Sequence, residues 1–187
     1  MNTRLLCAFL LLPSLAHAHP GHGGADFSGG FVHPFLGMDH LLAMFAVGLW
    51  AAQLGGVSRW ALPVGFVGAM SLSLAIGVAG FSLAWTEACI AISLLILGAL
   101  IAAKVRVLPW CAATMAAGCG FFHGLAHASE MPAGGGDPYA AGLVLSTVLL
   151  HLGGLWLGTR LICAGRSRWL QAAGTAVCAA GIWCGVV

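Results

Sequence analysis

Six apolar stretches, each about 20 residues long and set apart by short breaks of Gly, Pro or charge, decide what this chain can fold into. They run from Phe35 to Leu54, Leu62 to Phe81, Thr86 to Ala103, Leu108 to Met131, Tyr139 to Ile162 and Leu170 to Val187. Each has the length of a helix that crosses the hydrocarbon of a bilayer. The connections between them are too short for a soluble domain. Charge supports this: the 187 residues include only seven Lys or Arg and five Asp or Glu, whereas roughly a quarter of a soluble domain is charged. An ordinary cytosolic enzyme is excluded. So is a nucleic-acid-binding protein, because the few basic residues are too scattered to form a patch.

The N-terminus has the layout of a secretory signal peptide: a positive start from Met1 to Arg4, an apolar run from Leu5 to Leu12, then Ala16-His17-Ala18. An uncleaved first membrane helix is the weaker alternative, since the run is short and Pro13 interrupts it. Cleavage after Ala18 leaves a mature chain that starts outside the cytoplasm with His19-Pro20-Gly21-His22. The expected organisation is therefore a signal peptide (1–18), a periplasmic His-containing segment (19–34) and a six-helix transmembrane domain (35–187). If the mature N-terminus is outside, the first, third and fifth connections face the cytoplasm. Arg59, Lys104, Arg106, Arg166 and Arg168 lie in them, with Arg160 just inside the fifth helix end. Asp26, Glu87, Glu130 and Asp137 fall on the other side. Signal peptide and positive-inside asymmetry thus agree on one topology, an all-α, multi-pass protein of the bacterial inner membrane with a periplasmic N-terminus.

Glycine is unusually frequent, at 28 residues against about 7% in ordinary proteins. Association in a bilayer relies on close backbone approach, so Gly120 and Gly124, Gly154 and Gly158, and Gly181 and Gly185 read as helix contacts. The cysteines form no C-x-x-C pair and lie in or beside apolar helices, where they act as small hydrophobic residues.

Ionisable groups in hydrocarbon are costly and mark function. On the first helix they are His33, Asp39 and His40. Pro34 suits a first helical turn, which places His33 at the helix entrance, and His40 follows seven residues later on the same face. Asp39 points about 100° away, from where it can reach the same ion or hold the histidine. It has no Lys or Arg at its depth with which to pair. On the fourth helix, spacings of four and three put His123, His127 and Glu130 on one stripe. Two imidazoles at i, i+4 are a common helical metal clip. Since the first helix runs inward and the fourth outward, both clusters fall in the outer half of the membrane. His151 on the fifth helix is deeper, as a second station would be, and Glu87 opens the third helix. Two carboxylates and up to five imidazoles in apolar surroundings call for a divalent cation, and mixed nitrogen and oxygen donors suit nickel, cobalt, copper or zinc over calcium or magnesium. Hydrogen bonding between helices is the competing explanation, stronger for one histidine than for this cluster.

At these residues the sequence resembles the HupE/UreJ family of nickel permeases. His33-Pro34-Phe35-Leu36-Gly37-Met38-Asp39-His40 looks like that family's H-P-x-x-G-x-D-H signature, and Phe122-His123-Gly124-Leu125-Ala126-His127-Ala128-Ser129-Glu130-Met131-Pro132 is similar to its F-H-G-x-A-H-G-x-E-x-P block. Ala128 departs from the family's usual Gly, which bears on selectivity more than on activity class. The resemblance implies uptake of Ni(II) from the periplasm for nickel enzymes such as hydrogenase or urease, with His33, Asp39, His40, His123, His127 and Glu130 handling the metal. Cobalt is the alternative cargo. No cofactor is expected to be permanently bound.

No Walker A sequence occurs, so nothing in the chain couples transport to ATP directly. Membrane potential suffices in principle: two charges moving inward gain about 4.6 kcal/mol per 100 mV. His19 and His22 could capture metal externally, although Pro20 lacks the amide N–H that the usual amino-terminal chelate deprotonates. The expected partners are the metal ion, the lipid bilayer and, indirectly, hydrogenase or urease maturation; a homo-oligomer is compatible with the sequence. The rival class is a metal- or haem-dependent membrane enzyme. Against it, the chain has a single H-x-x-x-H, short of the several His boxes of a di-iron hydroxylase, and no Glu between the histidines as zinc proteases have.

Overall fold

The computed structural model of the protein describes residues 24–186. The signal-peptide segment, His19 and His22 lie outside these residues. Among the described residues the chain is entirely helical, in seven helices: α1 (Phe27–Leu36), α2 (Met38–Leu54), α3 (Ser58–Val78), α4 (Thr86–Ala102), α5 (Pro109–Glu130), α6 (Asp137–Cys163) and α7 (Ser167–Val186). Helices therefore stand at all six predicted stretches, with ends within a few residues of those expected. Two of them, α3 and α6, are by themselves long and apolar enough to cross a membrane, and α1 with α2 makes a third candidate bent by 86°. The apolar α4 is shorter, at 17 residues.

The first span differs from expectation. Instead of one helix from Phe35, the chain forms α1, breaks at Gly37 and turns into α2. Pro34 is near the end of α1, not in a first turn, and His33 occupies the last turn of α1 rather than a helix entrance. A ten-residue helix containing two glycines and a proline has poor intrinsic propensity. Its start is fixed by Asp26, whose Oδ1 accepts from the Gly29 N–H at 2.9 Å and the Ser28 hydroxyl at 2.8 Å, bonds that hold this carboxyl below its usual range. Its body is held by α6: Gly30 lies against the Tyr139 carbonyl and Gly142 against the Phe27 carbonyl, where a side chain would not fit.

α2 is the central helix, buried on nearly all sides along residues 43–52. It packs chiefly on α6, while α3 pairs with α5 and α4 with α7. Glycine sets these pairings: Gly120 and Gly124 of α5 face Phe66 and Met70 of α3, Gly154 of α6 faces Phe45 and Gly48 of α2, and Gly174 of α7 faces Gly98 and Ala102 of α4. Gly181 is equally tight against α4, whereas Gly185 makes only ordinary contact with Ala91. Interior hydroxyls return to their own helices: Ser73, Ser93, Ser146 and Thr147 donate to carbonyls three or four residues back. Helical backbone keeps its own polar groups bonded in apolar surroundings. The cysteines among the described residues are free thiols.

The contacts also fix direction. Residues 45–52 of α2 run alongside 154–158 of α6 in the same sense, as do 66–74 of α3 alongside 120–124 of α5. Gln53 Nε2 donates to the Ile101 carbonyl and Gln171 Nε2 to the Ala102 carbonyl, which brings the end of α2, the end of α4 and the start of α7 together. Arg59, Lys104, Arg106, Arg160, Arg166 and Arg168 consequently share one end of the bundle. Asp26, Asp39, Glu87, Glu130 and Asp137 share the other.

Candidate metal centre

At the acidic end α1, α2 and α5 bring their polar side chains to one point. His33 Nε2 lies 2.9 Å from Glu130 Oε2. The same oxygen is 3.7 Å from His127 Nδ1 and 3.8 Å from His40 Nε2. One ligand atom each from His33, His127 and Glu130 can be chosen within 4.8 Å of one another, the spacing of a chelating group. The helical stripe accounts for His127 and Glu130, one turn apart on α5. His33 and His40 meet for another reason: the bend at Gly37 folds the end of α1 over the start of α2, bringing their ring centroids to 6.3 Å. The expected seven-residue repeat on one continuous helix is not what joins them.

Asp39 does not reach the trio. Its Oδ1 accepts from the His40 backbone N–H and from His40 Nδ1, both at 2.8 Å. An ionised carboxylate only accepts, so the shared proton is on Nδ1 and the Nε2 lone pair is left free. His123 and His151 are set the same way by backbone. His123 Nδ1 donates to the Cys119 carbonyl at 2.8 Å, and His151 Nδ1 to the Thr147 carbonyl at 2.6 Å. In all three residues Nε2 is buried and unpartnered among the described residues; in His127 both ring nitrogens are. His127 and His123 are completely buried, while the His33 and Glu130 side chains remain 21% and 39% exposed. The mouth of the cluster is thus exposed and its depth buried. Orphaned buried nitrogens cost about 1–3 kcal/mol each, so four histidines in this state call for a partner the folded chain does not supply.

Together the rings make a file. Centroid separations are 5.0 Å from His33 to His127, 4.4 Å from His127 to His40 and 5.2 Å from His40 to His123. Beyond His123 stands Phe66, whose ring is 5.3 Å from His123 and 4.9 Å from His151. Sequence reading missed this phenylalanine, because nothing distinguishes one apolar residue within an apolar helix. It also missed Tyr139, 5.9 Å from His33. Glu87 stays outside the trio and lines a small cleft of about 110 Å³ with Thr86 and Ser129.

Among known sequences, the profile of the family described as HupE / UreJ protein matches residues 7–184. The chain is 39% identical over 175 residues to "Protein HupE" of Rhizobium leguminosarum bv. viciae, covering 93% of this chain and 92% of that protein. No solved structure matches. The family is of transporter type and not enzymatic, and its members are membrane proteins. With both sequence signatures present and the match running nearly end to end, the chain belongs to the HupE/UreJ family of nickel/cobalt permease-like proteins.

Proposed function

We propose that this protein is a secondary, ATP-independent permease that moves a divalent transition metal, Ni(II) ahead of Co(II), from the periplasm into the cytoplasm to supply nickel enzymes such as hydrogenase or urease. The helices form a six-span bundle of the inner membrane after removal of residues 1–18, with the acidic end outward and the basic end in the cytoplasm. The observation that carries the reading is the convergence of His33, His127 and Glu130 within 4.8 Å at the acidic, open end. Behind them stand histidines with buried, unpartnered ring nitrogens that could accept a cation.

His33, His127 and Glu130 replace part of the hydration shell of the arriving ion. His40, held by Asp39, and then His123 take it inward in ring-to-ring steps of 4.4 Å and 5.2 Å. Phe66 separates His123 from His151, so onward passage requires that ring to move. Nitrogen-rich ligation selects nickel and cobalt over magnesium and calcium. Successive sites with few donors each keep the ion mobile, as conduction demands. The inward membrane potential provides the drive.

Metal accumulation in cells with and without the protein, scanned over nickel, cobalt, zinc and copper, tests the reading. Nickel or cobalt should rise well above the other two; no rise in any metal rejects it. Imidazoles ligate only when neutral, so protons compete with the metal. Initial uptake rates should therefore be steady near pH 7 and fall as the outside pH drops below about 6. A rate that climbs on acidification contradicts histidine ligation.

A further inference from the structure

The Tyr139 side chain is not accounted for by the fold. The residue is 1% exposed, near the start of α6, and its hydroxyl has no hydrogen-bond partner among the described residues. The close approach of Gly30 involves the Tyr139 backbone carbonyl, so packing of α1 does not use the phenol oxygen. A phenylalanine would fill the same space without burying an unpaired polar atom. A hydroxyl kept under those conditions points to a ligand that satisfies it.

Its position identifies the ligand. The Tyr139 ring is 5.9 Å from that of His33, which in turn is bonded to Glu130 at 2.9 Å. The trio offers one ligand atom from each of three side chains. Three donors leave at least one position open even on a four-coordinate square-planar ion, and water fills it. We propose that the Tyr139 hydroxyl hydrogen-bonds a water molecule retained by the cation at the outer site, making Tyr139 a positioning residue for a partly hydrated metal ion. This rests on the permease reading above. It adds that the ion is not fully stripped at its first stop, and that the chain recognises its water as well as the metal.

The test is Tyr139→Phe, which keeps the ring and removes one oxygen. Uptake of radioactive Ni(II) is measured over a range of concentrations in cells with equal amounts of either protein in the membrane. Ni(II) binding to both purified proteins is titrated in parallel, and thermal unfolding is followed. A lost hydrogen bond to bound ligand should raise the apparent KM and the Kd roughly threefold to tenfold, with the maximal rate within about a factor of two. Thermal stability should be equal or higher, since the variant loses an orphaned polar atom. A merely structural tyrosine would instead lower stability and leave the KM alone. An unchanged KM and Kd overturns the inference while the permease reading stands. A wild-type protein that neither accumulates nor binds nickel or cobalt overturns both.

Discussion

Cells carrying His127→Ala should accumulate no more nickel than cells lacking the protein, at equal amounts of protein in the membrane. His127 is the hub of the file, 5.0 Å from His33, 4.4 Å from His40 by ring centroids, and 3.7 Å from Glu130 by its Nδ1. Removing it breaks the three-donor set and the step from that set to His40. Even the loss of groups that only orient metal ligands costs about 10–100-fold, so deletion of a ligand shared by two steps should exceed the upper figure. The alanine also leaves a void at a fully buried position. His127→Gln keeps most of the volume and should lose uptake as well, which separates ligation from packing. Retained uptake in both variants removes the metal centre from α5. Asp39→Asn should be milder, because Asp39 bonds His40 and lies outside the three-donor set.

What the sequence made legible here follows from contrast. His123, His127 and Glu130 stand out because nearly everything around them is apolar, and a single uninterrupted helix then puts them on one stripe whatever the rest of the chain does. The helix positions were legible for the same reason, with Pro109 and Pro138 in first turns and Gly55 just past the end of α2, at φ 69°. The turn at Gly37 was not. Pro34 is compatible with a first helical turn and with a helix about to end, and the choice between them is made by α6, where Gly142 and Tyr139 receive α1. That long-range contact has no local signature. Phe66 and Tyr139 were hidden in the opposite way from the histidines, since their roles depend on which polar groups flank them and not on being polar in an apolar background.

The direction of the chain around the site rests on α5 lying close against α3, and Gly124→Leu should destroy that pairing. A Cβ on Gly124 would fall on the Met70 carbonyl and the Ser73 hydroxyl, and within 2.9 Å of the Leu74 nitrogen. Two of these three obstacles are α3 backbone, which cannot rotate away as a side chain can. Overpacking ordinarily costs about 1–3 kcal/mol, and a backbone obstacle places this variant at or above the top of that range. Separation of α3 from α5 would open the interior beside His123 and carry Phe66, which faces Gly120 one turn earlier, off its place between His123 and His151. The amount of folded protein recovered from membranes, and its unfolding temperature, should therefore drop sharply. Gly118→Leu is the internal control: on the same helix, it has nothing within 4 Å of an added Cβ and should leave both quantities unchanged. Equal losses in the two variants would mean that α5 tolerates no bulk for reasons of its own. A loss confined to Gly124→Leu ties it to the α3 backbone, the contact that also holds His123 and Phe66 in register.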